Sequence, residues 1–559
     1  MSRAMKALIR ITVTGILFLL LTGNASALVE RTLTAGCPSL TAATVTARWK
    51  NNEMTLFLPG CWDLTQVTLE MEGEEQLLLG GEMAPVSPGE AADLTGFEGK
   101  KFTVYNGEKE GRGKLTVIRG SELPALFLEV DGEELKKVNG SKNNEITEGR
   151  AVFEEADGSV TYDGALTQLK GRGNNTFAYS KKPYQMKLGE KASLSGMGKG
   201  KTWVLLANWT DVSLLRNQIV LDLSREIGLR NAVDCVQADI WINGAYNGLY
   251  LITEKIQIGS GRIDITNLEK ATEKVNPQPF EPGKLVQDKK AYPLLRSYPD
   301  VSDPEDITGG YIFTVEKKAR MRDYALAGFR TANDLSIRIK EPTCPSRGQA
   351  EYLYNRVWEM QKALIAQDGV EPETGKPYQE YLDMESFARK FLIEDFSKNY
   401  DFAGGSQYLY KDSDSVDPLI YAGPSWDYDL SFGNMPDRGY PAAGAYLTAY
   451  HRNLNLYWLL SCHGDFCDRI REVWQQLFRP AAAVLLGEKE AEPDGIVRSI
   501  GEYRERISAS AEMNRLRWGV SSAAKGGGSG ENFGNAVRYL EKWIRERTAW
   551  MDGTWNAGQ

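Results

Sequence analysis

Apolar residues recur along this chain in two rhythms, and the change from one to the other divides it. From Leu28 to about Ser121 the rhythm is mostly two, in short runs at Thr44–Arg48, Met54–Leu58, Val67–Met71, Lys101–Tyr105 and Lys114–Ile118, separated by Gly-rich and polar turns. Side chains alternate across a strand, so this pattern predicts a small all-β module at residues 28–121. A second unit opens at Leu123-Pro124 and runs to about residue 552. In it Leu126–Val130 reads as a strand, and Thr167–Asn175 turns into a second strand, Lys182–Leu188. A helix follows from about Asp211, with Val212, Leu215, Ile219, Leu223 and Ile227 on one face and Gly228 as its stop. Val236–Ile242, the turn signal Asn243-Gly244 and Leu249–Thr253 form a hairpin that leads to Glu254. Residues 266–310 are polar and Pro-rich, which fits a surface insertion.

Past about Ala350 the helical rhythm dominates, and the fold class expected is α+β. Asp383 is placed as the N-cap of a helix whose apolar stripe is Met384, Phe387, Phe391, Leu392 and Phe396. Gln407–Tyr410 and Leu419–Tyr421 read as short strands around the polar turn Asp412–Asp417. A last helix carries Phe533, Val537, Leu540, Ile544 and Met551 at core spacing, after the flexible run Lys525–Gly530.

Composition narrows the classes. A basic start (Arg3, Lys6, Arg10), an apolar run from Ile11 to Leu21 and the exit Ala25-Ser26-Ala27 read as a cleavable secretory signal peptide at residues 1–27, so the mature protein is expected outside the cytosol. Taking its three cations from 66 leaves 63 basic against 75 acidic residues, a balance of −12 that argues against a nucleic-acid partner. The mature chain has no apolar run long enough for a membrane span. Cys37 with Cys61 and Cys462 with Cys467 are the plausible disulfides, with Cys235 and Cys344 unpaired. With only His451 and His463 and no CxxC, a structural zinc site and a Ser-His-Asp hydrolase are both poorly supported.

The chemistry concentrates in Asn399-Tyr400-Asp401 and Trp426-Asp427-Tyr428-Asp429. Asp401 follows a helix and so falls where it runs out into a loop, and the hairpin between the two motifs folds Asp427 back beside Asp401. Residues two apart in extended chain point the same way, which would let Asp427 and Asp429 face one site. One carboxylate to orient a hydroxyl and one or two to hold Mg²⁺ is what phosphoryl transfer needs. The structural alternatives are a helix cap or an ion pair, and for Asp429 a cap on the Ser431–Asn434 turn. Gly198-Lys-Gly-Lys-Thr202 imitates a phosphate-binding loop, but Ser195 stands where that motif requires glycine.

Upstream of these motifs, strand, strand, helix and hairpin follow one another in the order of a protein-kinase small lobe. Lys170-Gly-Arg-Gly-Asn174, Lys181-Lys-Pro-Tyr184, Trp203–Asn208, Ser213-Leu-Leu-Arg-Asn217, Asn243–Tyr250, Asn399-Tyr-Asp401 and Trp426–Asp429 together resemble the CotH family of spore-coat-protein-H-like atypical kinases, over roughly residues 124–550. The resemblance implies a two-lobed, kinase-like domain at 122–552 preceded by the all-β module, with ATP and Mg²⁺ or Mn²⁺ as cofactors. It implies Asp401 as the catalytic carboxylate and Asp427 as a metal ligand, with Asp429 a candidate beside it. It makes Lys182 the phosphate-contacting lysine ahead of Lys187, Arg172 a phosphate cover, and Glu254 an adenine-side position whose backbone counts more than its carboxylate. The substrates implied are Ser or Thr of secreted or surface proteins, in a spore coat or envelope. Family members often carry His-Asn after the catalytic loop where this chain has Gly405-Ser406, so Ser406 or Asp429 is left to substitute; Asp222 and Glu226 both stay open as the lysine's partner. Adenylylation, amino-acid ligation and a catalytically inactive adhesin or scaffold are the competing readings.

Overall fold

The computed structural model describes residues 32–556 except 39, 41–42, 49–52, 73–75, 81–84, 107–111, 289–293, 324, 403–404, 436–440, 451–455 and 520–531. The signal peptide and the Lys525–Gly530 run fall outside the described residues. Helices and sheets are mixed throughout, as expected of an α+β chain. The chain forms two compact units: residues 1–196 with 237–250 and 506–519, and residues 197–236 with 251–505 and 520–559.

In the first unit the period-two runs are strands. Glu53–Leu58 and Val67–Met71 bury alternate residues, since one face of each lies on a core while the other meets solvent. One sheet takes Thr44–Arg48, Thr32–Gly36, Val67–Met71 and Ala91–Ala92 in that order, and a second takes Glu53–Leu58, Arg112–Arg119, Lys101–Asn106, Leu77–Leu79 and Pro85–Val86. Glu53–Leu58 and Arg112–Arg119 run parallel.

The boundary drawn at residue 121 falls inside this unit. Trp62 stacks on Phe127 (6.3 Å), Phe127 on Trp241 (5.3 Å), and Tyr246 packs against both Trp241 (5.1 Å) and Phe57 (5.0 Å). These large rings share one apolar cluster with Leu33, Leu56 and Met513, so the β strands bury their inner faces on Ala125–Val130 and on segments far along the chain. Among the described residues, no disulfide joins the cysteines. Cys61 gives its thiol to Glu154 at 3.5 Å, beside the Trp62 indole at 3.1 Å. Cys462 and Cys467 turn to separate carbonyls, those of Trp458 and Ser461.

The second unit holds Gly200–Leu206, which pairs antiparallel with the end of the strand Ala245–Glu254, Trp203 opposite Glu254. The helix expected from Asp211 begins at Arg216 instead. The reason is local: Asp211 accepts the backbone N–H groups of Ser213 and Arg216, both at 2.9 Å, and Leu214 sits at φ 59°, so residues 211–215 form a capping turn. The polar stretch 266–310 is more than a surface insertion. It supplies the helix Leu268–Val275, the edge strand Val286–Asp288 and its neighbour Leu294–Ser297, anchored by buried Leu295 opposite Phe329. These extend a seven-stranded sheet that continues through Gly328–Arg330, Ser336–Glu341, Tyr311–Val315, Gln407–Lys411 and Ile420–Ala422. The expected hairpin forms with Tyr410 opposite Tyr421. Long helices at Arg347–Ile365, Met384–Ser397 and Phe533–Trp555 complete the unit. Among the described residues, no helix is long and apolar enough to cross a membrane.

Candidate active site

Asp383 opens the helix Met384–Ser397 by accepting the N–H of Ser386 at 2.7 Å, and Lys398 ends it in the left-handed region at φ 45°. The Lys398 ammonium donates to the carbonyls of Pro441 (2.6 Å) and Ala443 (2.8 Å), so the helix end is tied down rather than frayed. Asn399 then directs the turn. Its amide oxygen accepts the N–H of Asp401 at 3.1 Å, its amide nitrogen donates to the carbonyl of Asp427 at 3.0 Å, and its own carbonyl accepts the Tyr446 hydroxyl. The two aspartate motifs are thereby joined by one hydrogen bond.

Asp427 itself has φ +69°, a conformation a β-carbon disfavours and which persists only where the surroundings over-determine it. They do. The peptide between Asp427 and Tyr428 is held at both ends: Asn399 takes its carbonyl, and the Asn217 side chain accepts its N–H at 2.7 Å while donating to Asn208 at 3.0 Å. The Tyr428 ring is fully buried, and its hydroxyl donates to Glu394 at 2.5 Å while accepting from Lys390 at 2.5 Å. Arg216, paired with Asp211, donates to the Ser431 carbonyl at 3.0 Å, and Asn434 donates to the carbonyls of Thr210 (3.0 Å) and Asp429 (2.6 Å). Asp427 and Asp429 therefore do not share a face through strand alternation, because Asp427 is not extended. The clamped turn brings them together instead.

The electrostatics follow from that crowding. The Asp429 carboxyl is buried and pushed up to about 8, first by burial and then by the charge of Asp427; Asp401 and Asp211 add repulsion and the Thr210 hydroxyl, which donates to it, pulls the other way. Asp429 thus faces Thr210 and does not cap the Ser431–Asn434 turn through its side chain. Burial also raises the Asp401 carboxyl, against the opposing charges of Lys317 and Arg320. A buried carboxylate surrounded by others is held near neutral pH in a partly protonated state, and a cation entering there would be bound strongly. Among the described residues, no three His, Cys, Asp or Glu side chains converge as a ready-made metal cage.

Lys182 and Arg172 belong to the first unit. Lys182 precedes the strand Tyr184–Ala192, and its ammonium donates to the Phe177 carbonyl at 2.7 Å and sits 4.8 Å over that ring. Lys187 is on the strand and exposed. Neighbouring Lys181 is buried, donating to the Leu249 carbonyl. Glu254, in the second unit, commits its carboxylate to Arg262 and to the Asp234 N–H at 3.2 Å. Of the two acids left open for the lysine, Asp222 accepts the Tyr503 hydroxyl at 2.7 Å and Glu226 accepts the N–H groups of Ile496 and Val497 at 2.6 and 3.1 Å. The Gly200 decoy has a structural cause, since a β-carbon there would lie 2.3 Å from the Arg262 guanidinium.

Reading the carboxylates alone misses the residues that aim them: Asn217, Asn399, Thr210, Lys390 and Glu394. Asn399 and Asn217 stand inside the quoted motifs. Lys390 and Glu394, four apart in an otherwise apolar stripe, were a signal that something polar is buried against that helix. No curated protein matches the chain. The family model described as CotH kinase protein matches residues 169–551, which takes in the Asn217 turn and both aspartate motifs, and the chain belongs to that family.

Proposed function

We propose that this protein is a secreted, ATP-dependent phosphotransferase that moves the terminal phosphoryl group of ATP to Ser or Thr hydroxyls of extracytoplasmic proteins. Family membership points to a kinase-like function. The observation that carries the finer reading is the clamped Asp427–Tyr428 peptide, which sets Asp427 in a strained conformation next to the Asp401 turn. A strained backbone over-determined from both sides, beside crowded carboxylates, is what a preorganised site requires and what a passive scaffold has no use for.

In this reading Asp401 orients the acceptor hydroxyl and takes its proton, a task its raised carboxyl suits. Asp427 and Asp429 would hold Mg²⁺ or Mn²⁺, which when bound neutralises charge on the phosphates. The donor set fits that ion. Mg²⁺ is commonly held by one or two carboxylates together with phosphate oxygens and water, rather than by an all-protein cage. Ser406 is buried beside the turn. Lys182 and Arg172 keep the phosphate-binding roles implied by the family, and Lys182→Met should weaken ATP binding without removing metal binding.

Mass spectrometry of the mature protein, incubated with ATP and Mg²⁺ or Mn²⁺ and a protein acceptor, decides the chemistry. A phosphoryl increment abolished by Asp401→Asn and Asp427→Asn supports the proposal. An adenylyl or amino-acid increment keeps the site and replaces the reaction, and absence of both an increment and metal-dependent ATP binding leaves the scaffold reading.

A further inference from the structure

Gly405 stands where family members often carry the histidine of a His-Asn pair, and the space beside it is filled. It adopts φ +101°, and a β-carbon there would lie 2.7 Å from both the Arg320 guanidinium and the Glu316 carboxylate. Arg320 pairs with Glu316 at 3.2 Å, and the N–H of Arg320 bonds the Lys317 carbonyl at 2.9 Å, so residues 317–320 form one turn with both cationic side chains on it. Lys317 places its ammonium 5.7 Å from the centre of the Tyr400 ring. The turn thus touches the catalytic loop on either side of Asp401, at Tyr400 through Lys317 and at Gly405 through Arg320. Its charge is felt there, since both cations oppose the upward push of burial on the Asp401 carboxyl.

We propose that Lys317 and Arg320 form the phosphate-recognising wall of the Asp401 site, binding the terminal phosphoryl group of the nucleotide from a segment that Gly405 admits by having no side chain. This rests on the phosphotransferase reading above. The physical need is plain: Asp401, Asp427 and Asp429 are all acidic, and a negatively charged phosphoryl group approaching Asp401 requires N–H donors beyond any metal. A guanidinium offers paired donors that match phosphate oxygens, and an ammonium adds a compact charge. Glu316 neutralises part of Arg320 and fixes its direction, and its own carboxyl is raised chiefly by burial. Both cations are only half-buried, so they are reachable from solvent.

The test is calorimetric binding of ATP, ADP and inorganic tripolyphosphate to the mature protein with Mg²⁺, which does not depend on turnover. Because Arg320→Gln alone would strand the buried Glu316, it is combined with Glu316→Gln; Lys317→Met, at a half-exposed position, is made separately. The wild-type protein is expected to prefer ATP over ADP by at least about tenfold, the usual scale of one charged hydrogen bond. Each variant should lose most of that preference while ADP affinity stays within about twofold. Arg320→Lys should restore part of it. Variants that keep the wild-type ATP preference, or a wild-type protein that binds ATP and ADP equally, overturn the inference and leave the phosphotransferase reading standing. A wild-type protein that binds neither ATP nor tripolyphosphate overturns both. A phosphoserine peptide competing with tripolyphosphate but not with ADP would move the wall to the acceptor side and overturn the nucleotide assignment.

Discussion

Two buried aspartates, one in each unit, differ in how far the fold satisfies their charge. Asp239 in the first unit has both oxygens supplied, by the Tyr246 hydroxyl at 2.6 Å and the Ser510 hydroxyl at 2.5 Å, and the nearby Lys181 ammonium counters its charge. Burial lifts it only to about 6. Asp429 in the second unit receives a single side-chain hydroxyl, from Thr210, and meets three other aspartates, which with burial take it to about 8. The first arrangement is complete as it stands. The second leaves acidic groups crowded around one buried carboxyl, a repulsion that a bound cation would relieve.

The largest effect that would break this comparison is on activity. Asp401→Asn or Asp427→Asn should lower phosphoryl transfer about a thousandfold with the thermal melt of the metal-free protein essentially unmoved; loss of folding in step with activity would place these aspartates in the same class as Asp239. Conversely Asp239→Ala, which leaves Lys181 buried without its counter-charge, should cost about 3 kcal/mol in urea unfolding. A loss below about 1 kcal/mol would mean that Asp239 is not the anchor its hydrogen bonds describe.

Next come the asparagines. Asn217→Ala removes one end of the clamp on the Asp427–Tyr428 peptide, and should lower metal affinity or turnover by about 10- to 100-fold, as loss of ligand-orienting partners does. Asn217→Asp keeps the acceptor for the Tyr428 N–H and should recover part of the loss. If both substitutions behave alike, the peptide clamp is not what matters there.

The pH dependence sharpens the comparison further. Because the Asp429 carboxyl is raised to about 8, a divalent cation must displace its proton, and affinity for Mn²⁺ should climb by up to about tenfold per pH unit between 6 and 8, then level off. In the metal-free protein the sign is opposite for stability. A carboxyl whose folded value is raised contributes stability that is present below its ordinary value of 3.8 and lost as pH rises toward about 8. The smallest effect follows: Asp429→Asn, which retains an acceptor for Thr210 while removing the ionisable carboxyl, should raise the neutral-pH Tm of the metal-free protein by roughly 2 °C while weakening Mn²⁺ binding. A fall in Tm would mean that the repulsion is already compensated.

The sequence by itself determined most of the local elements and the family resemblance. Period-two runs became strands within a residue or two at Thr44–Arg48, Glu53–Leu58 and Val67–Met71, and Asp383 caps its helix as read, because alternation and capping are local properties of the backbone. The spacing of Asn399–Asp401 and Trp426–Asp429 around a hairpin was enough to put the two aspartate motifs together. What only the tertiary structure decided were features that depend on partners far along the chain. The first unit gathers segments 237–250 and 506–519 because Phe127, Trp241, Tyr246 and Met513 complete the core of the β strands. The aim of Asp427 comes from Asn217, more than two hundred residues earlier, holding a left-handed peptide. Hydrophobic rhythm records which face of an element is buried and not what buries it, and a strained backbone angle leaves no periodic trace, since it exists only where distant side chains supply the hydrogen bonds that pin it.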